Sequence, residues 1–240
     1  MKTISAVLAG LAFIAVIAVT AAAQDGQQSP ELAGMQKAAE KVCMSMTPYL
    51  ERPDSVKGIT VVKNDEINAY ADQNDKITIF TGMLNFVRDD NELALVCGHE
   101  MAHISAKHIK RSIFTDVLAN VAASVIGGTF GNVTGNAIVS KESRKHEREA
   151  DSRGLLYMWR AGYDPRVGWG FWQNLEAKYK QGGSDVTKFF SDHPVNDERV
   201  EDMKVLLVRD CKTWPDLKYC DAILADKDLT DTFNAFENRK

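Results

Sequence analysis

The sequence predicts an α+β fold that is mainly helical and contains a small antiparallel sheet. Four long stretches carry apolar residues at helical spacing: residues 31–50, 91–111, 137–161 and 197–209. Three short β-prone runs lie between the first two of these stretches: residues 59–62, 67–71 and 76–81. Because the strands are grouped and do not alternate with helices, we expect one small sheet packed among helices.

Local signals place the ends of several elements. The polar turn 72–75 separates the last two strands, and Asp90 is the expected N-cap of the long helix that follows them. Gly162 is the expected C-cap of the third long helix, and Pro165 is the expected first residue of a further one.

The segment 114–139 does not keep one hydrophobic periodicity along its whole length. A helix is predicted over residues 114–126, and the four glycines of residues 127–136 predict a flexible loop. This apolar insert is either a mobile flap or a patch that touches membrane or a partner, or it is a core helix with a long loop. The pattern favours neither interpretation.

Composition places the chain among ordinary globular proteins. Its 240 residues are 45% hydrophobic and 26% charged, which argues against disorder, collagen-like repeats and coiled coil. The 29 basic and 33 acidic residues give a net charge of −4 without a basic block, so nucleic acid is not an expected partner. The length fits one domain, or one domain with an appendage.

The first 23 residues predict a secretory signal peptide. Lys2 precedes a charge-free apolar run over residues 4–19, and three alanines at 21–23 provide a small-residue cleavage pattern. The protein is therefore expected to be periplasmic or secreted. The alternative is a membrane anchor that is not cleaved, since residues 4–23 are long enough to span a bilayer.

One motif indicates a catalytic metal site: His99, Glu100 and His103 form HExxH on the helix predicted over 91–111. Histidines four residues apart share a helix face, so both imidazoles can bind one metal ion. Glu100 is turned to the side of that face, where its carboxylate can take a proton from a water at the metal. Zinc suits such a site because it binds neutral imidazole and keeps an open position.

A carboxylate on a later helix is the expected third ligand. The extended HExxHxxGxxH pattern is absent, because Ala106 and Ile109 occupy the required positions. Glu147 and Asp151 are spaced i, i+4, so we expect Glu147 to bind the metal and Asp151 to hydrogen-bond a ligating imidazole. The alternative is an exposed acidic helix face that pairs with Arg144 and Arg148.

The angular position of each neighbouring residue around its helix predicts the direction of its side chain. Gly154 lies on the same stripe as Asp151 and allows the two metal helices to approach closely. Glu149 is expected to face elsewhere, and His146 is a competitor for the third ligand position. His108 is expected to be a surface histidine that points away from the metal.

The segments ELALVCGHEMAH and SRKHEREADSRG together resemble the HtpX and CAAX-prenyl-protease family of gluzincin metallopeptidases. The resemblance covers residues 59–209 and is strongest to the soluble periplasmic members, here without the tetratricopeptide-repeat domain of the larger ones. It implies a gluzincin fold over residues 24–210 with one zinc ion per chain, bound by His99, His103 and Glu147. It also implies that Glu100 is the catalytic base.

The resemblance extends to residues outside these two motifs. Asn68, Ala69 and the adjacent Tyr70 match a strand that borders the substrate cleft, and such an edge strand can pair with an extended peptide. His193 and Arg199 match a late His-Pro and Arg. His193 either donates to the developing oxyanion, or plugs the open position of zinc, or is a loop histidine; Arg199 anchors this loop or is a solvated charge.

The four cysteines predict disulfides in an exported protein. Cys211 and Cys220 flank a loop with a Pro-Asp turn, within a C-terminal extension over residues 211–240. Cys43 and Cys97 are candidates for a second bridge. Three connectivities are possible, and buried reduced thiols are the alternative.

The expected function is a zinc endopeptidase for unfolded or misassembled envelope proteins, with peripheral contact to membrane or outer-membrane assembly machinery as a further expectation. The substrates are implied by the resemblance alone. The alternative is a zinc-binding chaperone or adaptor of the same fold whose site is plugged by His193.

Overall fold

The computed structural model describes residues 29–109, 129–186, 189, 193 and 197–239. The described helices are α1 (Pro30–Met44), α2 (Thr81–Phe86), α3 (Asp90–Ser105), α4 (Thr129–Arg160), α5 (Val167–Lys180), α6 (Asp197–Thr213), α7 (Cys220–Ala225) and α8 (Lys227–Glu237). The strands are β1 (Gly58–Val62), β2 (Ala69–Ala71) and β3 (Lys76–Phe80). The mainly helical α+β prediction is confirmed. The predicted signal peptide 1–23 and the predicted helix 114–126 lie outside the described residues.

The sheet is mixed and not wholly antiparallel, which corrects one detail of the prediction. Its strand order is β1-β3-β2, with β3 antiparallel to β2 but parallel to β1. The hairpin turn sets this arrangement: Asp72 Oδ1 accepts from the Asn74 and Lys76 amides, and Asp75 takes a left-handed φ of 61°. The hairpin inserts β3 between the other two strands and leaves β2 at an edge.

Helix α3 lies at the centre of the molecule, and almost all of its residues are buried. Its N-cap is Asp89 and not the predicted Asp90, because the Asp89 carboxylate accepts from the Asn91 and Glu92 amides at 2.9 and 3.0 Å. The helix ends at Ser105, six residues earlier than predicted, because Lys107 adopts a left-handed φ of 59°. Among the residues that the structure describes, no helix is long and apolar enough to cross a membrane.

Helix α4 crosses α3 at two glycines, Gly98 and Gly154. A Cβ added to Gly98 would lie 2.6 Å from the Gly154 carbonyl oxygen, and a Cβ added to Gly154 would lie 2.6 Å from the Gly98 carbonyl carbon. The two backbones are therefore in direct contact, as the small-residue stripe at Gly154 predicted.

The ends of α4 differ in how well they were predicted. It begins at Thr129, so the predicted glycine-rich loop 127–136 is wrong for residues 129–136. Glycine lowers helix propensity by about 1 kcal/mol, a bias that tertiary context often overrides. At the other end, Gly162 has a φ of 93° and ends the helix as expected. Helix α5 then begins at Val167, two residues after Pro165.

Both expected disulfides are present, Cys43–Cys97 and Cys211–Cys220. The first joins α1 to α3 two residues before His99, on the face of α3 away from the metal motif. The predicted extension over 211–240 contains two helices that the sequence did not indicate. Leu229 and Phe233 of α8 are buried, so this extension contributes to the core.

Replacing Gly154 by alanine is expected to lower the free energy of unfolding by about 2 kcal/mol or more, because a new methyl group must push two helix backbones apart. Gly34 is the matched control. It lies on an exposed part of α1, where an added Cβ would meet nothing within 4 Å, so alanine there should stabilise by about 0.5–1 kcal/mol. Urea unfolding of both variants measures the difference; equal stabilities would contradict the close crossing.

Candidate metal centre

Four buried side chains place their ligand atoms together: His99 and His103 from α3, Glu147 from α4, and His193. Each offers one nitrogen or oxygen, and these atoms all lie within 4.8 Å of one another. The Nε2 atoms of His99 and His103 are 3.1 Å apart, and His193 Nδ1 is 3.1 Å from Glu147 Oε2. Ligands of a tetrahedral zinc ion stand about 3.3 Å apart, so this donor set fits zinc.

The helix geometry explains how three of these groups meet. His99 and His103 are one turn apart on α3 and face α4. The close crossing at the two glycines brings Glu147 of α4 to that face, where its Oε1 lies 3.4 Å from His103 Nε2 and its Oε2 lies 3.4 Å from His99 Nε2.

Behind His99, a chain of buried groups fixes its ring. Asp151 Oδ1 lies 3.0 Å from His99 Nδ1, which leaves Nε2 directed at the cluster. Arg199 donates to both oxygens of Asp151, from Nε at 2.6 Å and from Nη2 at 2.7 Å. The Arg199 guanidinium also lies over the Trp172 ring, 4.7 Å from its centroid. Trp172 was not among the predicted site residues.

Glu100 stands beside the cluster and not in it. Its Oε2 accepts from the Ala71 amide of β2 at 2.8 Å, and its Oε1 lies 3.3 Å from His193 Nε2. The side chain is buried, and burial raises the pKa of this carboxyl although the nearby His193 and His99 oppose the shift. A carboxylate held in this way is able to accept a proton.

The pKa values of the other members of the cluster are shifted in different directions. Burial disfavours a charged His99, but hydrogen bonds to Asp151 and Glu147 outweigh it and raise the pKa of His99 to about 10. Burial lowers the pKa of His103 well below its usual value. Burial would raise the pKa of Glu147, but His193 and the other histidines hold it well below the usual range. Without metal, His99 therefore favours its protonated form.

The expected surface position of His108 is wrong. The side chain is buried, and its Nδ1 lies 3.2 Å from Nδ1 of His103. The helical angle failed here because α3 has already ended, and the left-handed Lys107 turns the chain back. His146 stacks on His108 and does not join the cluster, and Glu149 faces away from it toward Arg153.

The residues expected to bind substrate lie on the edge strand β2 or directly before it. Asn68 and Ala69 are buried, and Tyr70 is exposed. The Asn68 carbonyl accepts from the Phe80 amide of β3, so the backbone groups of the alternate residues Ala69 and Ala71 face away from β3. The Ala71 amide is used by Glu100, which places this edge next to the catalytic candidate.

Zinc affinity is expected to rise by about tenfold per pH unit between pH 6 and 8.5. Zinc binds neutral imidazole, whereas His99 stays protonated below its pKa of about 10, so binding must displace this proton. Calorimetry in buffers of different ionisation enthalpy measures the proton released. Affinity that does not change with pH, with no proton released, would contradict the protonated His99.

Comparisons with known proteins agree with this geometry. Residues 34–206 match the model of peptidase family M48. The chain is 34% identical to the mitochondrial metalloendopeptidase OMA1 of Arabidopsis thaliana over 59% of its length and 30% of the relative. It is 30% identical to the Schizosaccharomyces pombe protein of the same name, over 66% of its length and 52% of the relative.

A bacterial relative covers more of the chain. The beta-barrel assembly-enhancing protease of Yersinia pestis is 26% identical over 74% of this chain and 40% of the relative. The chain thus spans about half the length, or less, of these relatives. The family match covers most of the chain and includes HExxH, Glu147 and Arg199. The chain belongs to peptidase family M48.

Proposed function

We propose that the protein is a zinc-dependent endopeptidase that hydrolyses peptide bonds. The observation that carries this proposal is the placement of Glu100: its carboxylate stands between the four-residue metal cluster and the free edge of β2. A pure metal-binding site has no use for a buried carboxylate in that position.

Each residue of the site has its own role in hydrolysis. His99, His103 and Glu147 would hold the zinc ion, which would act as a Lewis acid toward a substrate carbonyl and water. Glu100 accepts a proton from the attacking water at its carboxylate and returns it to the leaving amine. Asp151 orients the His99 ring, and Arg199 holds Asp151. His193 Nε2 lies 3.3 Å from Glu100 Oε1, and we assign it as the donor to the oxyanion that develops on the substrate.

We propose that the substrate binds as an added strand beside β2. The backbone groups of Ala69 point away from β3, Tyr70 is exposed beside them, and Asn68 directly precedes the strand. Ala69 itself is buried, so the substrate would have to displace what covers it. Main-chain pairing needs an extended segment and little sequence preference, so unfolded proteins are the favoured substrate class.

A cell-envelope setting suits this proposal. Two disulfides fit an oxidising compartment, and the sequence of residues 1–23 fits export to the periplasm. A bacterial relative is named for β-barrel assembly, whereas the OMA1 relatives are mitochondrial by name. We therefore propose unfolded or misassembled envelope proteins as substrates, with contact to the outer-membrane assembly machinery.

A second candidate function is a zinc-binding chaperone whose site is closed by His193. The observation that favours it is the position of His193 Nδ1, which lies 3.1 Å from both His99 Nε2 and Glu147 Oε2. A fourth protein ligand is typical of structural zinc sites, whereas catalytic sites keep a position open.

Glu100→Gln is expected to bind zinc as the unaltered protein does and to lose turnover of an unfolded test protein by about 10²-fold or more, because proton transfer is removed. Glu147→Ala is the contrasting variant, which should lose zinc together with activity. Proteolysis is followed by gel, with a chelator-treated sample as a second control. Cleavage by Glu100→Gln at the unaltered rate would exclude this carboxylate as the base.

The cleavage rate of His193→Ala distinguishes three roles of this residue. In a latent protease that His193 restrains, this variant opens a zinc position and should raise the initial cleavage rate. In a chaperone, cleavage stays absent while suppression of aggregation persists. If His193 instead donates to the oxyanion, the rate should fall by about 10²-fold with the zinc content unchanged. Zinc content and cleavage are measured on the same preparation.

A further inference from the structure

His108 lies directly behind His103, on the side away from the metal cluster. The left-handed Lys107 turns the chain after α3, so that His108 returns against the helix end and is buried. The two Nδ1 atoms of His103 and His108 are 3.2 Å apart. On its other side, His108 Nε2 lies 3.3 Å from Glu149 Oε2.

These distances allow one arrangement of protons when His103 binds a metal. His103 directs Nε2 at the cluster, so this nitrogen must offer its lone pair and the ring proton must be on Nδ1. That proton is donated to Nδ1 of His108, which must therefore accept. The proton of His108 is then on Nε2, which lies within ion-pair distance of the Glu149 carboxylate, at 3.3 Å from Oε2.

The ring of His108 is held in place by its neighbours. It stacks on His146 with ring centroids 4.3 Å apart and planes inclined by 11°. Glu149 is held by Arg153, whose Nη2 lies 2.7 Å from Glu149 Oε1, and Arg153 in turn pairs with Glu51 at 2.7 Å. A fixed ring is able to fix the orientation of the ring that it hydrogen-bonds.

From this geometry we infer that His108, backed by Glu149, is a positioning residue that sets the tautomer and orientation of His103 toward the metal. It does for His103 what Asp151 does for His99, with an imidazole in place of the carboxylate. The inference rests on the metal centre of the proposed function, but it does not depend on catalysis.

The protonation of His108 tests the inference directly. In the zinc-loaded protein labelled with ¹⁵N-histidine, long-range ¹H–¹⁵N correlations show which ring nitrogen carries the proton. There are five histidines in the chain, and single substitutions assign their signals. His108 is expected to carry its proton on Nε2 and His103 on Nδ1. A His108 protonated on Nδ1, or one that averages between both forms, would overturn the inference.

Two substitutions separate positioning from simple packing. His108→Asn retains an acceptor oxygen near the place of Nδ1, whereas His108→Leu fills similar space without an acceptor. The leucine variant is expected to raise the zinc Kd by about 10- to 100-fold and the asparagine variant by less than about tenfold. The spectrum of the cobalt-substituted leucine variant should also shift, since it reports ligand geometry.

Equal zinc affinity of His108→Leu and the unaltered protein would contradict the inference, and so would equal losses in both variants. If the leucine variant does not fold, Glu149→Ala replaces it; this change removes a partly exposed side chain and should also raise the zinc Kd, by about tenfold. Unaltered affinity there would contradict the inference too. Cleavage is measured separately: loss of zinc in His108→Leu without any cleavage by the unaltered protein would overturn the proposed function alone.

Discussion

The direct contact of two helix backbones at Gly98 and Gly154 sets the geometry on which the rest of the site depends. Each side chain of the cluster is short compared with the spacing of ordinary packed helices, which is about 8–10 Å. The close approach brings Glu147 of one helix to the imidazoles of the other, where its two carboxylate oxygens lie 3.4 Å from His99 Nε2 and His103 Nε2. The same approach places Asp151, one turn further along α4, within hydrogen-bond distance of His99. A substitution at the crossing would therefore disturb both stability and metal binding.

Around this crossing, an unusual number of ionisable groups is buried, and nearly every one has a charged or hydrogen-bonding partner. Arg199 neutralises Asp151, and the pKa of Asp151 is lowered because this guanidinium outweighs the effect of burial. Glu147 depends on its histidines in the same way. A buried charge destabilises the folded protein unless it is paired. Removing one partner of a buried pair therefore lowers the free energy of unfolding, because the other charge is left uncompensated. We expect the cluster to be retained for metal binding, since an apolar core of equal size would be no less stable. The disulfide Cys43–Cys97 ties the metal helix to α1 on the opposite face, where it does not compete for the site.

Helical periodicity predicted those parts of the site that lie within regular helices. His99, Glu100, His103, Glu147 and Asp151 could be placed relative to one another because an i, i+4 spacing fixes a shared face. His193 and Arg199 were identified only by family resemblance, since they lie far along the chain and no local pattern relates them to α3. His108 was misplaced because one left-handed residue, Lys107, ends the periodicity on which the prediction relied. Similarly, the parallel pairing of β1 with β3 depends on where the hairpin inserts, which the strand sequences do not specify. The helices α7 and α8 were missed, although Leu229 and Phe233 share the face that α8 buries.

Anomalous diffraction at the zinc edge would show whether one zinc ion binds at the crossing of α3 and α4. Crystals of the zinc-loaded protein should show a single strong anomalous peak at about 2.0–2.2 Å from His99 Nε2, His103 Nε2 and a Glu147 oxygen. The Asp151 and His108 side chains should remain hydrogen-bonded behind their histidines. A peak at another position, or a zinc ion held without Glu147, would mean that His99, His103 and Glu147 do not form the metal site.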